Sequence, residues 1–186
     1  MNQQWEIELQ KDFPFMKQNN VESERNIYRR WGMECSLGWS GIIREACQKI
    51  TDKYEEAGIP LDFETTQIKE KFGWLRWYFG YSDAPCGIAA FDNLADGTSL
   101  RFEPGNESDD EEKKAFRHKI AAIVREAEEK SKCTCEMCGS PGEFRDDRDN
   151  GIHWVKTLCD SCHDRRIKTY EEAKLRRKAN IGDFKE

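Results

Sequence analysis

Cys135-Glu136-Met137-Cys138 and, after twenty intervening residues, Cys159-Asp160-Ser161-Cys162 decide the fold of the C-terminal part of this chain. Each Cys-x-x-Cys knuckle places two sulfurs on one side of a tight turn, and the segment between them is long enough for a hairpin that returns the chain to the same ion. Four thiolates at knuckle spacing predict one tetrahedral zinc site, Zn2+ held by Cys135, Cys138, Cys159 and Cys162. A disulfide pair is the competing reading, but nothing in the sequence marks a secreted protein, where disulfides persist. A site closed by four cysteines leaves no position for water or substrate, so the metal is expected to be structural. Cys133 is a spare thiol or a competitor of Cys135, and His163 is a spare ligand beside the second knuckle.

Between the knuckles, residues 142 to 145 and 153 to 158 read as short strands around the turn Asp149-Asn150-Gly151, and residues 163 to 179 read as a helix. Knuckle, hairpin and a second knuckle at the start of a helix is the order of a treble clef; a zinc ribbon puts the second knuckle in another hairpin. Upstream, Phe116, Ile120, Ile123, Val124 and Ala127 form an apolar helical stripe. Residues 103 to 114, with Pro104, Gly105 and an acidic run, read as the linker into that helix, the acidic side chains complementing its dipole.

Further upstream, Ser40 is a candidate N-cap, and Ile42, Ile43, Ala46, Cys47, Ile50, Tyr54 and Ala57 recur at helical spacing until Gly58 ends the run. Residues 61 to 69 and the aromatic-dense residues 74 to 81 predict an antiparallel hairpin turning at Gly73. In its second strand Leu75, Trp77, Phe79 and Tyr81 form the natural core face, and Trp74, Arg76 and Tyr78 share the other. A third strand is expected at 98 to 102, after an irregular stretch with Pro85, Gly87 and Gly97. Residues 1 to 30 read as a short strand or turn docked by Trp5, Ile7, Leu9, Phe13 and Phe15. The expected architecture is α+β: a helix on a small antiparallel sheet within residues 1 to 107, then a helix and a treble-clef zinc module within residues 108 to 186.

A chain of 186 residues, 37% hydrophobic and 35% charged, describes a soluble protein with a modest core. Its net charge of −6 argues against a surface built to coat nucleic acid, which needs surplus Lys and Arg. The basic residues from Arg165 to Lys178 are interrupted by Glu171 and Glu172 and read as a solvated helix face, so a nucleic-acid partner is not favoured. No apolar run approaches a membrane span, and Met1 to Glu6 lacks the regions of a secretory signal. A cytoplasmic location without membrane partners is expected, in which Cys35, Cys47 and Cys86 are free thiols.

Four blocks carry a family resemblance. They are Trp31-Gly32-Met33-Glu34-Cys35 with Gly38-Trp39, Gln67 to Arg76, Thr134 to Gly142, and Trp154 to Asp160. Together they resemble a family of small, functionally uncharacterised zinc-binding proteins encoded by tailed phages and prophages. The resemblance implies a setting, the cytoplasm of a bacterial host, where small accessory phage proteins commonly bind host factors, antiviral defences among them. Leu158-Cys159-Asp160-Ser161-Cys162-His163 and the basic helix behind it also resemble the C-terminal end of treble-clef HNH endonucleases. Against that family's pattern, the gap between knuckles is short, and His153 stands alone before Trp154.

The three histidines, His118, His153 and His163, form no recognisable nucleophile, base and orienter set, and phosphate-cradling glycine loops are absent from the sequence. An enzyme is therefore not indicated. The best candidate surface is Trp74, Arg76 and Tyr78, with Lys69 and Lys71 close to the turn, a mixture that can stack on bases, pair with phosphates or anchor a protein interface. The competing reading is that this face is covered by another segment. The favoured function is a non-enzymatic protein that captures a host protein or a nucleotide-like ligand with zinc as scaffold; the alternative is an HNH-like metal-dependent nuclease or a nucleic-acid-binding treble-clef protein. The Trp31 to Trp39 block is either part of a contact surface or a staple for the first helix.

Overall fold

In the computed structural model, residues 4–17, 26–84, 90–92 and 99–182 are described. The aromatic strand lies at the centre. β2 (Trp74–Tyr81) has the bounds expected from its alternation and pairs antiparallel with β1 (Phe63–Lys71), which starts and ends two residues later than expected. The two-residue turn places Phe72 at φ 56° and Gly73 at φ 82°, the doubly left-handed geometry whose twist suits a tight hairpin. Glu70 Oε1 accepts the Gly73 N–H at 2.6 Å. A bulge between Thr65 and Gln67 resets the register, so Ile68 joins Leu75, Trp77 and Tyr81 in the core.

α3 (Ser40–Ala57) contributes Ile43, Ala46, Cys47, Ile50 and Tyr54 to that core and ends on Gly58 in the left-handed region. Ser40 is not its N-cap. A 3-10 turn at Leu37–Trp39 runs straight into the helix, so the residue before it is Trp39, which makes no side-chain capping bond.

The N-terminal segment corrects the expectation of a strand or turn: it is α1 (Gln4–Asp12) followed by a 3-10 turn at Pro14–Lys17. Leu9, Phe13 and Met16 are buried at helical spacing, while Ile7 is exposed. The buried Glu6 carboxylate accepts the Met33 N–H at 3.3 Å, tying α1 to the chain just after α2 (Ile27–Trp31). Asn26 caps α2 through Oδ1 and donates from Nδ2 to Thr65 O at 2.9 Å.

α4 (Glu111–Ser131) starts as expected on acidic residues, with Asp110 accepting the Lys113 N–H at 2.8 Å. Its Ile120, Ala121, Val124 and Ala127 enter the same core as α3 and the hairpin. The helix also serves β2 directly. Ser131 Oγ accepts the Leu75 N–H at 2.9 Å, and Glu128 Oε1 accepts the Trp77 N–H at 2.8 Å. Near the N-terminal end of α4, buried Arg117 pairs with Asp109 and Asp83 and lies 4.2 Å from the Tyr81 ring centroid.

The strand expected at 98 to 102 does not extend the central hairpin. β4 (Ser99–Arg101) pairs instead with β3 (Ala90–Asp92) as a separate unit. Pro85, Cys86, Gly87 and Gly97 lie outside the described residues. In the C-terminal part, β5 (Glu143–Arg145) and β6 (Lys156–Leu158) form the expected hairpin, the second strand shorter than predicted. α5 (Asp160–Gly182) begins three residues earlier than expected, inside the second knuckle. The architecture is thus α+β, helices with small antiparallel hairpins. Among the described residues, no helix is long and apolar enough to cross a membrane.

Candidate metal centre and binding cleft

The two knuckles meet. The Sγ atoms of Cys135, Cys138, Cys159 and Cys162 all lie within 4.8 Å of one another, and Cys138 and Cys159 approach to 3.6 Å. A tetrahedron with zinc–sulfur bonds of about 2.3 Å has edges of roughly 3.8 Å, so the quartet suits such an ion with little movement. The first knuckle is closed by backbone: Cys135 N–H donates to Ser140 O at 2.8 Å, and Gly139 N–H donates to Cys135 O at 2.9 Å. The second is wound into the first turn of α5, where His163 N–H donates to Cys159 O at 2.9 Å.

Local electrostatics separate Cys138 and Cys159 from Cys162. The Ser161 hydroxyl pulls Cys159 down to about 6, and Ser140 lowers Cys138. Burial pushes Cys162 up to about 12. Two ligands on the exposed side are thereby biased toward thiolate, whereas Cys162 must yield its proton to an incoming metal. The spare ligands stay apart. Cys133 Sγ turns to Lys130 O at 3.3 Å, and His163 Nε2 sits 2.8 Å from Asp147 Oδ1. Among the described residues the cysteine quartet is the one grouping of metal-ligating side chains, while His153 is exposed and His118 meets Glu103 at 3.1 Å.

The Trp31 to Trp39 block has a role that sequence reasoning missed. Gly38 N–H donates to Glu136 O at 2.8 Å, Ser36 Oγ donates to Glu136 Oε1 at 3.0 Å, and Trp39 Nε1 donates to Thr134 O at 2.8 Å. The first knuckle therefore rests directly on the turn that leads into α3. A Cβ on Gly38 would lie 2.6 Å from the Glu136 carbonyl carbon and closer still to the carbonyl oxygens of Cys135 and Glu136. Glu136, itself buried, also pairs with Lys156 of β6. Trp39 is fully buried, so it reports on this junction. Stripping metal with a chelator is expected to preserve most far-UV circular dichroism, because α1, α3, α4 and the β1–β2 hairpin share a core without the thiolates. The near-UV signal should change as Trp39 loses its partner. Loss of all helical and sheet signal would show instead that the main core depends on metal.

The second site is the other face of the hairpin. The register sets Lys69 opposite Arg76 and Lys71 opposite Trp74, so all five surface candidates, Tyr78 included, share one face. That face is neither bare nor sealed: Lys69, Lys71, Trp74 and Tyr78 are half-buried, and Arg76 is only 7% exposed. Beside it, α4 borders a cleft of about 840 Å³ whose walls include Trp74, Arg76, Tyr78, Phe102, Arg125 and Lys132. Two cations address the Trp74 ring: the Arg76 guanidinium carbon is 5.3 Å from its centroid, and Lys132 Nζ is 4.7 Å away. Lys69 Nζ lies 5.2 Å from the Tyr78 centroid.

Arg76 is the anomaly. Its guanidinium makes no ion pair among the described residues, and its buried Nε has no hydrogen-bond partner. The nearby charges are already engaged: Arg125 with Glu103, Glu126 with Lys49 at 2.7 Å, and Glu129 with Lys132 at 2.5 Å. An unpartnered buried donor costs about 1–3 kcal/mol, and a cation–π contact returns about 0.5–2 kcal/mol, so the indole at best offsets the unpaired Nε.

Fold and cysteine geometry together define an α+β protein carrying a four-cysteine cluster placed to hold a metal ion. No protein-family model, curated protein or solved structure matches the chain.

Proposed function

We propose that the chain is a non-enzymatic binding protein in which a structural zinc secures the C-terminal module and the open face of the β1–β2 hairpin makes the functional contact. Soft four-thiolate donors favour zinc, and four protein ligands fill its tetrahedron, which leaves the metal no vacant position for chemistry. The order of first knuckle, β5–β6 hairpin, and second knuckle at the start of α5 supports a treble clef. The observation that carries the binding reading is the gathering of Lys69, Lys71, Trp74, Arg76 and Tyr78 on one face beside a cleft. The partner class is a host protein or a nucleotide-like ligand. With the resemblance to phage and prophage proteins, this makes the chain an accessory factor acting in the bacterial cytoplasm, its target a host component such as a defence factor.

A pull-down from bacterial host lysate, analysed for proteins and bound small molecules, tests the reading against the Arg76→Ala protein. The expected outcome is a partner lost on substitution, at a cost of about 1–3 kcal/mol in binding, with the fold retained by circular dichroism. A variant that loses stability while every captured component is retained would reduce the face to packing. Magnesium- or manganese-dependent plasmid nicking that disappears on His153→Ala would assign the protein to the nuclease class instead.

A further inference from the structure

We infer that Arg76 is the receptor for the phosphate group of a small phosphorylated ligand that enters the cleft between β2 and α4. The inference rests on the binding reading above and narrows it from a surface to one guanidinium. Arg76 is more than nine-tenths buried, lines the cleft, and has neither an ion pair among the described residues nor a partner for Nε. The carboxylates at the rim form no ion pair with it among the described residues: Glu103, Glu126 and Glu129 are paired with other cations, and Glu128 turns Oε1 to the Trp77 N–H. What is left is a planar, permanently charged fork of donors, whose best complement is a phosphate or carboxylate bound through two oxygens.

Two further features select phosphate on an organic carrier. Lys132, paired with Glu129, also lines the cleft and contacts the same Trp74 ring as Arg76, so a second ammonium donor is within the wall that a phosphate, with more oxygens than a carboxylate, can use. The cleft, at about 840 Å³, is far larger than one oxyanion and matches the volume of small-molecule sites. Trp74, Tyr78 and Phe102 give it flat apolar walls, which suit an aromatic or sugar moiety attached to the phosphate.

The test uses the full, zinc-loaded chain, with thermal shift and calorimetric titration by inorganic phosphate, adenosine 5′-monophosphate and acetate at constant ionic strength in chloride. Saturable stabilisation is expected from the nucleotide, weaker stabilisation from phosphate, and none from acetate. Arg76→Met should bind the nucleotide roughly tenfold to a hundredfold more weakly, with Arg76→Lys in between. Because Met removes the unpartnered buried Nε while keeping an unbranched apolar stem along the sheet, the ligand-free Arg76→Met protein should melt no lower than the wild type. Equal nucleotide affinity in the two proteins, no saturable response to any probe, or a marked fall in the melting temperature of ligand-free Arg76→Met would overturn the inference. Acetate as effective as phosphate would overturn the choice of phosphate, and a nucleotide no tighter than phosphate would overturn the organic carrier. If lysate capture survives while all three probes fail, the wider binding reading stands and this inference falls.

Discussion

Cys159→Ser protein is expected to lose its tightly bound zinc and, with it, the order of the β5–β6 hairpin and the start of α5. The apolar cluster around the centre contains little beyond Cys135, Leu158 and Cys162, with Cys159 packed against it. Strands of three residues are marginal on their own. Zinc bound by such knuckles supplies about 10–16 kcal/mol of apparent free energy near neutral pH, far more than these contacts can replace. Metal analysis paired with amide exchange measures the effect: wild-type protein should carry one equivalent, and exchange in the variant should accelerate between residues 135 and 165 while α3 stays protected. Cys133→Ser is the control and should keep its metal, because that thiol points to Lys130 O. A full equivalent of zinc with unchanged protection in the Cys159→Ser protein would remove Cys159 from the ligand set.

Gly38→Ala should cost about 3 kcal/mol, a large effect for one methyl group. The added carbon would meet backbone, not a side chain that can swing away: the carbonyls of Cys135 and Glu136 stand where it must go. Neither partner can retreat easily. Gly38 is fixed by its hydrogen bond to Glu136 O and is followed by the fully buried Trp39, while Cys135 and Glu136 are held by bonds to Ser140 O and Thr157 O. Chemical denaturation should show the destabilisation, and competition with a chelator should show weaker zinc retention, since the same displacement pulls on the knuckle. Stability and metal affinity both equal to wild type would mean that the turn and the knuckle are not in the close contact described.

The elements legible in the sequence are those whose burial is set by their own periodicity. β2 could be bounded because the core residues Leu75, Trp77, Phe79 and Tyr81 recur at every second position, and α3 because Ile43, Ala46, Cys47, Ile50 and Tyr54 repeat at helical spacing. The cysteine quartet was legible for a different reason: ligand spacing is a chemical constraint independent of the surrounding fold. α1 was not, since Trp5, Ile7 and Leu9 mimic strand alternation and the helix is selected by contacts with distant residues, such as Glu6 with the Met33 N–H. The function of Ser36, Gly38 and Trp39 was hidden likewise, because their partners lie about a hundred positions away along the chain. Of the second site, Trp74, Arg76 and Tyr78 could be named from alternation and Lys69 and Lys71 from their closeness to the turn, but the cleft wall built by α4 and the missing partner of Arg76 Nε are properties of tertiary packing.

The backbone of the β1–β2 hairpin is spoken for on both flanks. On one side the Leu75 and Trp77 N–H groups end on Ser131 and Glu128 of α4. On the other, Glu34 N–H donates to Ile68 O and Glu70 N–H donates to Glu34 O, each at 2.9 Å. A peptide that recognises its target by adding a strand finds no free ladder at these positions, and the same closure protects the hairpin from edge-to-edge aggregation. At these positions only side chains are left to meet another molecule, so a substitution on the face changes what the hairpin presents without removing a backbone bond of the sheet.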